Sequence, residues 1–301
     1  MGRGWFLGDG RLQGLARALL FLVLFLGLLF AGVLLLLPGL DRAPLPAGDG
    51  LPPAFIAQFA LALAAALGAA WFLRVFVERR PAEGLGFPLS RRAPREAGAG
   101  IAIGLIAVTA VTALLSLVGV YGWVADAGTA AGWVGVVLTS LLAFAIPAAA
   151  EEAVFRGYLL DALADAGGPV TAVMVTSLLF ALVHAGNPEI APLSFLNLGL
   201  AGVLLALAVL RTGALWLATG IHLGWNWSMA GPLDLPVSGV DPYDAPLYDV
   251  VPAPPAWLSG GAFGPEGGLA GTLAACLAVA LILRLTRPGA PLAPAASDGS
   301  V

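Results

Sequence analysis

The chain has 301 residues, 59% of them hydrophobic and only 11% charged, with a mean hydropathy of +0.94 and a formal net charge of −4. A soluble domain of this length averages about 25% charged residues, and this much apolar surface cannot be hidden in one core, so lipid must cover much of it. The apolar segments are continuous runs without period-two alternation, which argues against a β-barrel and for an all-α, polytopic transmembrane helical bundle.

Taken in chain order, Arg3, Arg11 and Arg17 precede an apolar run over 18–37. That run exceeds the usual signal-peptide core of about 7–15 residues and predicts a retained first helix. Seven further spans are predicted over roughly 54–76, 99–120, 132–163, 169–185, 193–210, 213–230 and 269–285, each long enough at about 1.5 Å per residue to cross or nearly cross the hydrocarbon layer. The connectors carry helix breakers, among them Pro38-Gly39, Pro52-Pro53, Gly167-Gly168-Pro169 and Gly186-Asn187-Pro188. The fourth span is unusually long and holds Pro147, which predicts a kink or break there; a shorter span followed by an interfacial helix is the alternative. The stretch 231–268, rich in Pro, Gly and Asp, is the one long loop and is expected to lie outside, over the bundle. No internal repeat is visible. Cys276 is alone in an apolar run, which excludes disulfides and cysteine-rich metal sites.

Arginine placement sets the orientation. With both termini on one side, that side receives Arg3, Arg11, Arg17, Arg74, Arg79, Arg80, Arg91, Arg92, Arg95, Arg211, Arg284 and Arg287. The other side receives Arg42 and the acids Asp41, Asp49, Asp126, Asp234, Asp241, Asp244 and Asp249. Positive loops stay cytoplasmic, so both termini are expected inside, which agrees with eight spans.

Ionisable side chains inside a span cost about 2.5–3.5 kcal/mol each at its centre and default to functional hypotheses. Here they cluster as Glu151, Glu152 and Arg156 in one helix, His184 in the next, and His222 with Asn226 in a third; the chain has no other histidine. Glu152 and Arg156 stand at i,i+4 with the acid N-terminal, the favourable order for an ion pair. Glu151, rotated about 100° from its neighbour, points elsewhere, into a cavity of the bundle. Phe180 shares a face with His184, as His222 does with Asn226. Glu151 and His184 each lie about 24 Å from the Gly167-Gly168 turn, whereas His222 lies only about 14 Å from the Thr212-Gly213 turn. A tilt or kink must close that gap of about 10 Å. Competing hydrolase patterns are missing: no HExxH, no GxSxG, and the Tyr243-Asp244 and Tyr248-Asp249 pairs fall in the polar loop.

Three ordered motifs resemble the CPBP family of intramembrane proteases, also called the CAAX-protease, Abi or bacteriocin-processing family. The EExxxR motif is Glu151-Glu152-Ala-Val-Phe-Arg156, FxxxH is Phe180-Ala-Leu-Val-His184, and HxxxN is His222-Leu-Gly-Trp-Asn226. The resemblance implies an endopeptidase whose core lies in 131–230, between N-terminal helices with a basic loop (1–130) and a last helix with its loop and tail (231–301). It further implies Glu151 as the base that activates water, assisted by His184, with His222 and Asn226 stabilising the oxyanion. Glu152, Arg156 and Phe180 would support them. Two histidines and a glutamate would also suit a divalent metal such as zinc, held by Glu151, His184 and His222. The same residues explain catalysis without an ion, so both readings stay open. The expected partners are the lipid bilayer and a membrane-associated peptide or protein, not nucleic acid, and the expected location is a bacterial plasma membrane. An ion-coupled transporter and a non-catalytic immunity or scaffold protein are the alternatives.

Overall fold

A computed structural model describes residues 10–36, 50–82 and 85–286; Arg3, Arg42, Arg287, Asp41, Asp49 and the Pro38-Gly39 breaker lie outside them. The molecule is a helical bundle: α1 (Gly10–Leu36), α2 (Pro53–Phe72, extended by a π-helical turn Leu73–Val77), α3 (Ala93–Leu117), α4 (Ala130–Phe155), α5 (Tyr158–Val183), α6 (Pro192–Thr212), α7 (Trp216–Ala230), a four-residue α8 (Ala256–Ser259) and α9 (Leu269–Leu285). Among the described residues, five stretches are long and apolar enough to cross a membrane: Leu12–Leu35, Pro53–Val77, Ala93–Leu117, the broken stretch Ala130–Val183, and Pro192–Thr212; Leu269–Leu285 is apolar but shorter. Their outer faces carry exposed Leu19, Val23, Phe30, Leu142, Met174 and Leu178, suited to lipid.

The break expected at Pro147 falls elsewhere. Helix α4 runs through Pro147 uninterrupted and ends at Arg156-Gly157. A side chain at 157 would stand 2.4 Å from the Ala153 carbonyl oxygen, so glycine is required where the chain turns. A second break inside α5 falls at Gly168, whose φ of +84° leaves the helix just before Pro169. The long fourth span is therefore a shorter span followed by a separate helical segment over 158–167. Polar groups gather on that segment: Tyr158 and Arg17 bond Glu78, Arg17 also bonds Asp165, and Arg74 Nη2 lies 3.0 Å from Asp161 Oδ2.

These breaks also remove the apparent depth mismatch. The Gly213–Leu215 turn lines one small cavity with Arg156, Tyr158 and Asp161, level with the start of α5, whereas Gly168 lies a further helical segment away. The two turns used as depth markers are not level.

Helices α3 and α7 pack backbone to backbone. Cβ atoms added at Gly100 and Gly104 would stand 2.4 Å from the carbonyl oxygens of Leu217 and Ile221; at Gly220 and Gly224 they would stand 2.3 Å from those of Ala97 and Ile101. Two GxxxG stretches thus interlock. His222 and Asn226 are each about 200° round the helix from a glycine of that stripe, so the contact turns them toward the bundle interior.

At the other end of the bundle, β1 (Tyr121–Ala125) pairs antiparallel with β2 (Tyr248–Pro252), giving the long loop an ordered ribbon where irregular chain was expected. Tyr121 Oη donates to the Ser259 carbonyl at 2.5 Å. Asp234 accepts from the Ala245 N–H at 2.7 Å, and burial, reinforced by Asp241, Asp244 and Asp249, pushes its carboxyl from 3.8 up to about 7.

Candidate active site

The two acids of α4 divide as their 100° separation predicts. Glu152 points into the protein, fully buried, with Oε1 3.3 Å from Arg156 Nη1. The Arg156 guanidinium lies over the Phe180 ring, 4.4 Å from its centroid, so a cation–π contact adds to the ion pair. Glu152 Oε1 also lies 2.9 Å from His222 Nδ1. A carboxylate only accepts, so His222 donates from Nδ1 and turns Nε2 to the opposite side.

His184 is oriented by the same logic. It caps the C-terminus of α5, and its Nδ1 lies 2.7 Å from the Phe180 carbonyl oxygen. The carbonyl accepts, so the proton sits on Nδ1 and the Nε2 lone pair is left free. Phe180 therefore does more than fill space: its carbonyl fixes one histidine, while its ring lies 4.6 Å from His184, 6.0 Å from His222 and 5.5 Å from Phe155, centroid to centroid.

Glu151 meets the free faces of both rings. Its Oε2 lies 3.9 Å from His184 Nε2 and 3.8 Å from His222 Nε2, and is buried with no hydrogen-bond partner. All three side chains, with Asn226 one turn beyond His222, line a cavity of about 800 Å³. The Asn226 amide has no hydrogen-bond partner among the described residues. Toward α1 and α2 the wall is apolar, formed by Phe25, Leu26, Leu29, Phe55 and Phe59. Toward the long loop it is polar and includes Asn187, Asn197, Ser238 and Glu266. Every expected site residue is thus at this cavity or directly behind it.

The donor set suits water better than one metal ion. Glu151, His184 and His222 do not form a group whose ligand atoms all lie within 4.8 Å of one another; among the described residues, Asp234, Asp244 and Asp249 do. With both Glu151 contacts near 3.8 Å, the two imidazoles are the pair too far apart. A zinc ion needs its ligands at about 2.0–2.2 Å, which holds their donor atoms closer together than this. A water molecule bridging at about 2.8 Å tolerates the wider spacing.

Sequence reasoning missed three features. The Glu152–His222 bond joins residues far apart in the chain, and no spacing rule reveals it. The interlocking glycines could have been found, because Gly100-xxx-Gly104 and Gly220-xxx-Gly224 are legible motifs. Glu266 falls within the 231–268 loop, where no motif or helical spacing singles it out.

Fold and site together define a multi-pass helical membrane protein with a glutamate–histidine centre inside its bundle. Residues 133–228, from the first turn of α4 to the last of α7, match the family model described as Rce1-like, type II CAAX prenyl endopeptidase, in agreement with the resemblance of the three motifs to the CPBP/CAAX family. No curated protein matches the chain.

Proposed function

We propose that this protein hydrolyses a peptide bond within the membrane by a water molecule held between Glu151 Oε2 and His184 Nε2. The observation that carries this reading is the unpartnered, buried Glu151 oxygen, facing the free nitrogens of two oriented histidines across a cavity. Water donating one hydrogen to Glu151 and the other to His184 Nε2 presents its lone pair to a substrate carbonyl. As the O–C bond forms, Glu151 takes the proton and later returns it to the leaving amine. The Asn226 amide offers N–H donors to the oxyanion. His222 already donates from Nδ1 to Glu152, so it offers a second donor from Nε2 only as the imidazolium.

A membrane-embedded peptide substrate suits the cavity. Leu26 lines the apolar wall and is 57% exposed, which supports an opening of that wall between α1 and the lipid. The matched family is named for prenylated CAAX substrates, and an apolar wall of aromatic and leucine side chains suits a lipid-linked or strongly hydrophobic peptide. The reading includes eight crossings of a bacterial plasma membrane, both termini inside, and the loop 231–268 outside.

The test is cleavage in proteoliposomes of a quenched-fluorescent farnesylated CAAX peptide and of its unprenylated counterpart. Glu151→Gln should abolish product while the protein keeps its wild-type unfolding profile. Full cleavage by Glu151→Gln contradicts the assignment. Ion flux without peptide product would point to a transporter, and a cellular phenotype indifferent to Glu151→Gln would point to a scaffold.

A further inference from the structure

Glu266 lies far from the three motifs and outside the matched segment, on a Pro265–Gly267 turn just before α9. It is only 8% exposed, and among the described residues it makes no ion pair. A buried carboxylate is costly unless its lone pairs are filled. Here neutral donors from two other segments fill them: Trp225 Nε1 at 2.9 Å on Oε1, with Ser238 N at 2.8 Å and Ser238 Oγ at 2.6 Å on Oε2. Glutamine could not do the same, because its NH2 would meet one of these donors head-on.

The bonds continue to both halves of the site. Trp225 precedes Asn226 and follows His222 on α7. The Ser238 carbonyl accepts from Asn187 Nδ2 at 2.8 Å, and the Asn187 N–H donates to the His184 carbonyl at 3.0 Å. Behind Glu266, Asn197 Nδ2 donates at 2.8 Å to the carbonyls of both Glu266 and Gly268, and its Oδ1 accepts from Thr272 at 2.7 Å, tying the turn to α6 and α9. One carboxylate therefore links the end of the His184 helix to the helix of His222 and Asn226.

We infer that Glu266 is a positioning residue: through Trp225 it sets the rotation of α7 and so the aim of Asn226 at the reacting carbonyl. The glycine stripe fixes how closely α7 approaches α3, and the indole–carboxylate bond, about 100–140° round the helix from that stripe, fixes its azimuth. This rests on the hydrolytic reading above.

The test is a double-mutant cycle on the full chain in proteoliposomes, with the farnesylated CAAX peptide as probe. Glu266→Gln and Glu266→Ala should each lower kcat about tenfold with KM changed less than about twofold, because misaim by a fraction of an ångström costs the transition state and not ground-state binding. In an Asn226→Ala background, adding Glu266→Ala should change kcat by less than about twofold, since there is no amide left to aim and His222 is held separately by its bond to Glu152. Equal losses in both backgrounds mean a merely structural role and overturn the inference, as does an unchanged kcat. An active Glu151→Gln would instead remove the hydrolytic reading, so the two failures are distinguishable. Hydrogen exchange gives a readout independent of turnover. Glu266→Ala should raise exchange in 222–230 and 184–188 together, and a rise confined to 231–268 contradicts the inference.

Discussion

His222 separates two regions of opposite character. Behind it, Glu152, Arg156 and Phe180 form a closed layer in which each charge has a counter-charge: Glu152 faces Arg156 and accepts from His222, and Arg156 lies on an aromatic face. In front of it, Glu151 and the two Nε2 atoms border open space, with no arginine paired to the acid among the described residues. Neighbouring residues of one helix thus meet opposite surroundings, a counter-charge for Glu152 and open space for Glu151, and their orientation alone separates them. The lesson is that a polar cluster in a membrane must be divided by partner, because proximity alone would give Glu151 and Glu152 the same role.

That division predicts different consequences for similar changes. Glu151→Gln should cost about 10²- to 10⁴-fold in turnover with little change in thermal unfolding, since a general base is lost and no packing is disturbed. Asn226→Ala should follow, at about 10²- to 10³-fold in kcat, again with folding intact. Arg156→Met should behave in the opposite way. Leaving Glu152 buried without its cation should destabilise the fold by about 3–5 kcal/mol, read as loss of folded protein in a thermal-stability assay. If Arg156→Met proved stable and merely inactive, the closed layer would have to be counted as part of the reactive face.

Gly104→Val sharpens the comparison from outside the motif region. It should push α7 from α3, cost about 1–3 kcal/mol by overpacking, and lower turnover by displacing His222 and Asn226, although it touches neither. The smallest expected effect is in the loop. Asp234 has its carboxyl raised to about 7, chiefly by burial. A raised carboxyl binds more protons folded than unfolded, so its contribution is full below about pH 4 and is lost as pH rises toward 7. The loop should therefore be more protected from proteolysis at pH 5 than at pH 8, and Asp234→Asn should remove that difference.

Much of this arrangement was legible in the sequence, and for stated reasons. Membrane helices announce themselves because lipid forbids exposed charge, and the i,i+4 rule paired Glu152 with Arg156 and His222 with Asn226. The rotation of Glu151 away from Glu152 was legible too. What escaped depends on contacts between distant segments. The end of α4 is set by backbone crowding at Gly157, which competes with the more conspicuous Pro147. The Glu152–His222 bond and the Glu266 links form only once α4, α5, α7 and the loop have assembled. The span boundaries fell within three residues of the helix ends, except that α1 begins eight residues and α3 six residues earlier than expected and that the chain breaks at Arg156-Gly157 and Gly168.

In the hydrolysis proposed above, the nucleophile is a water molecule activated by Glu151. A single turnover in ¹⁸O-labelled water tests it most directly, with mass spectrometry of both the peptide product and the enzyme. Attack by water leaves one labelled oxygen in the new C-terminal carboxylate of the product and none in Glu151. Label in the Glu151 side chain would mean that the carboxylate attacks the substrate itself, and would contradict it.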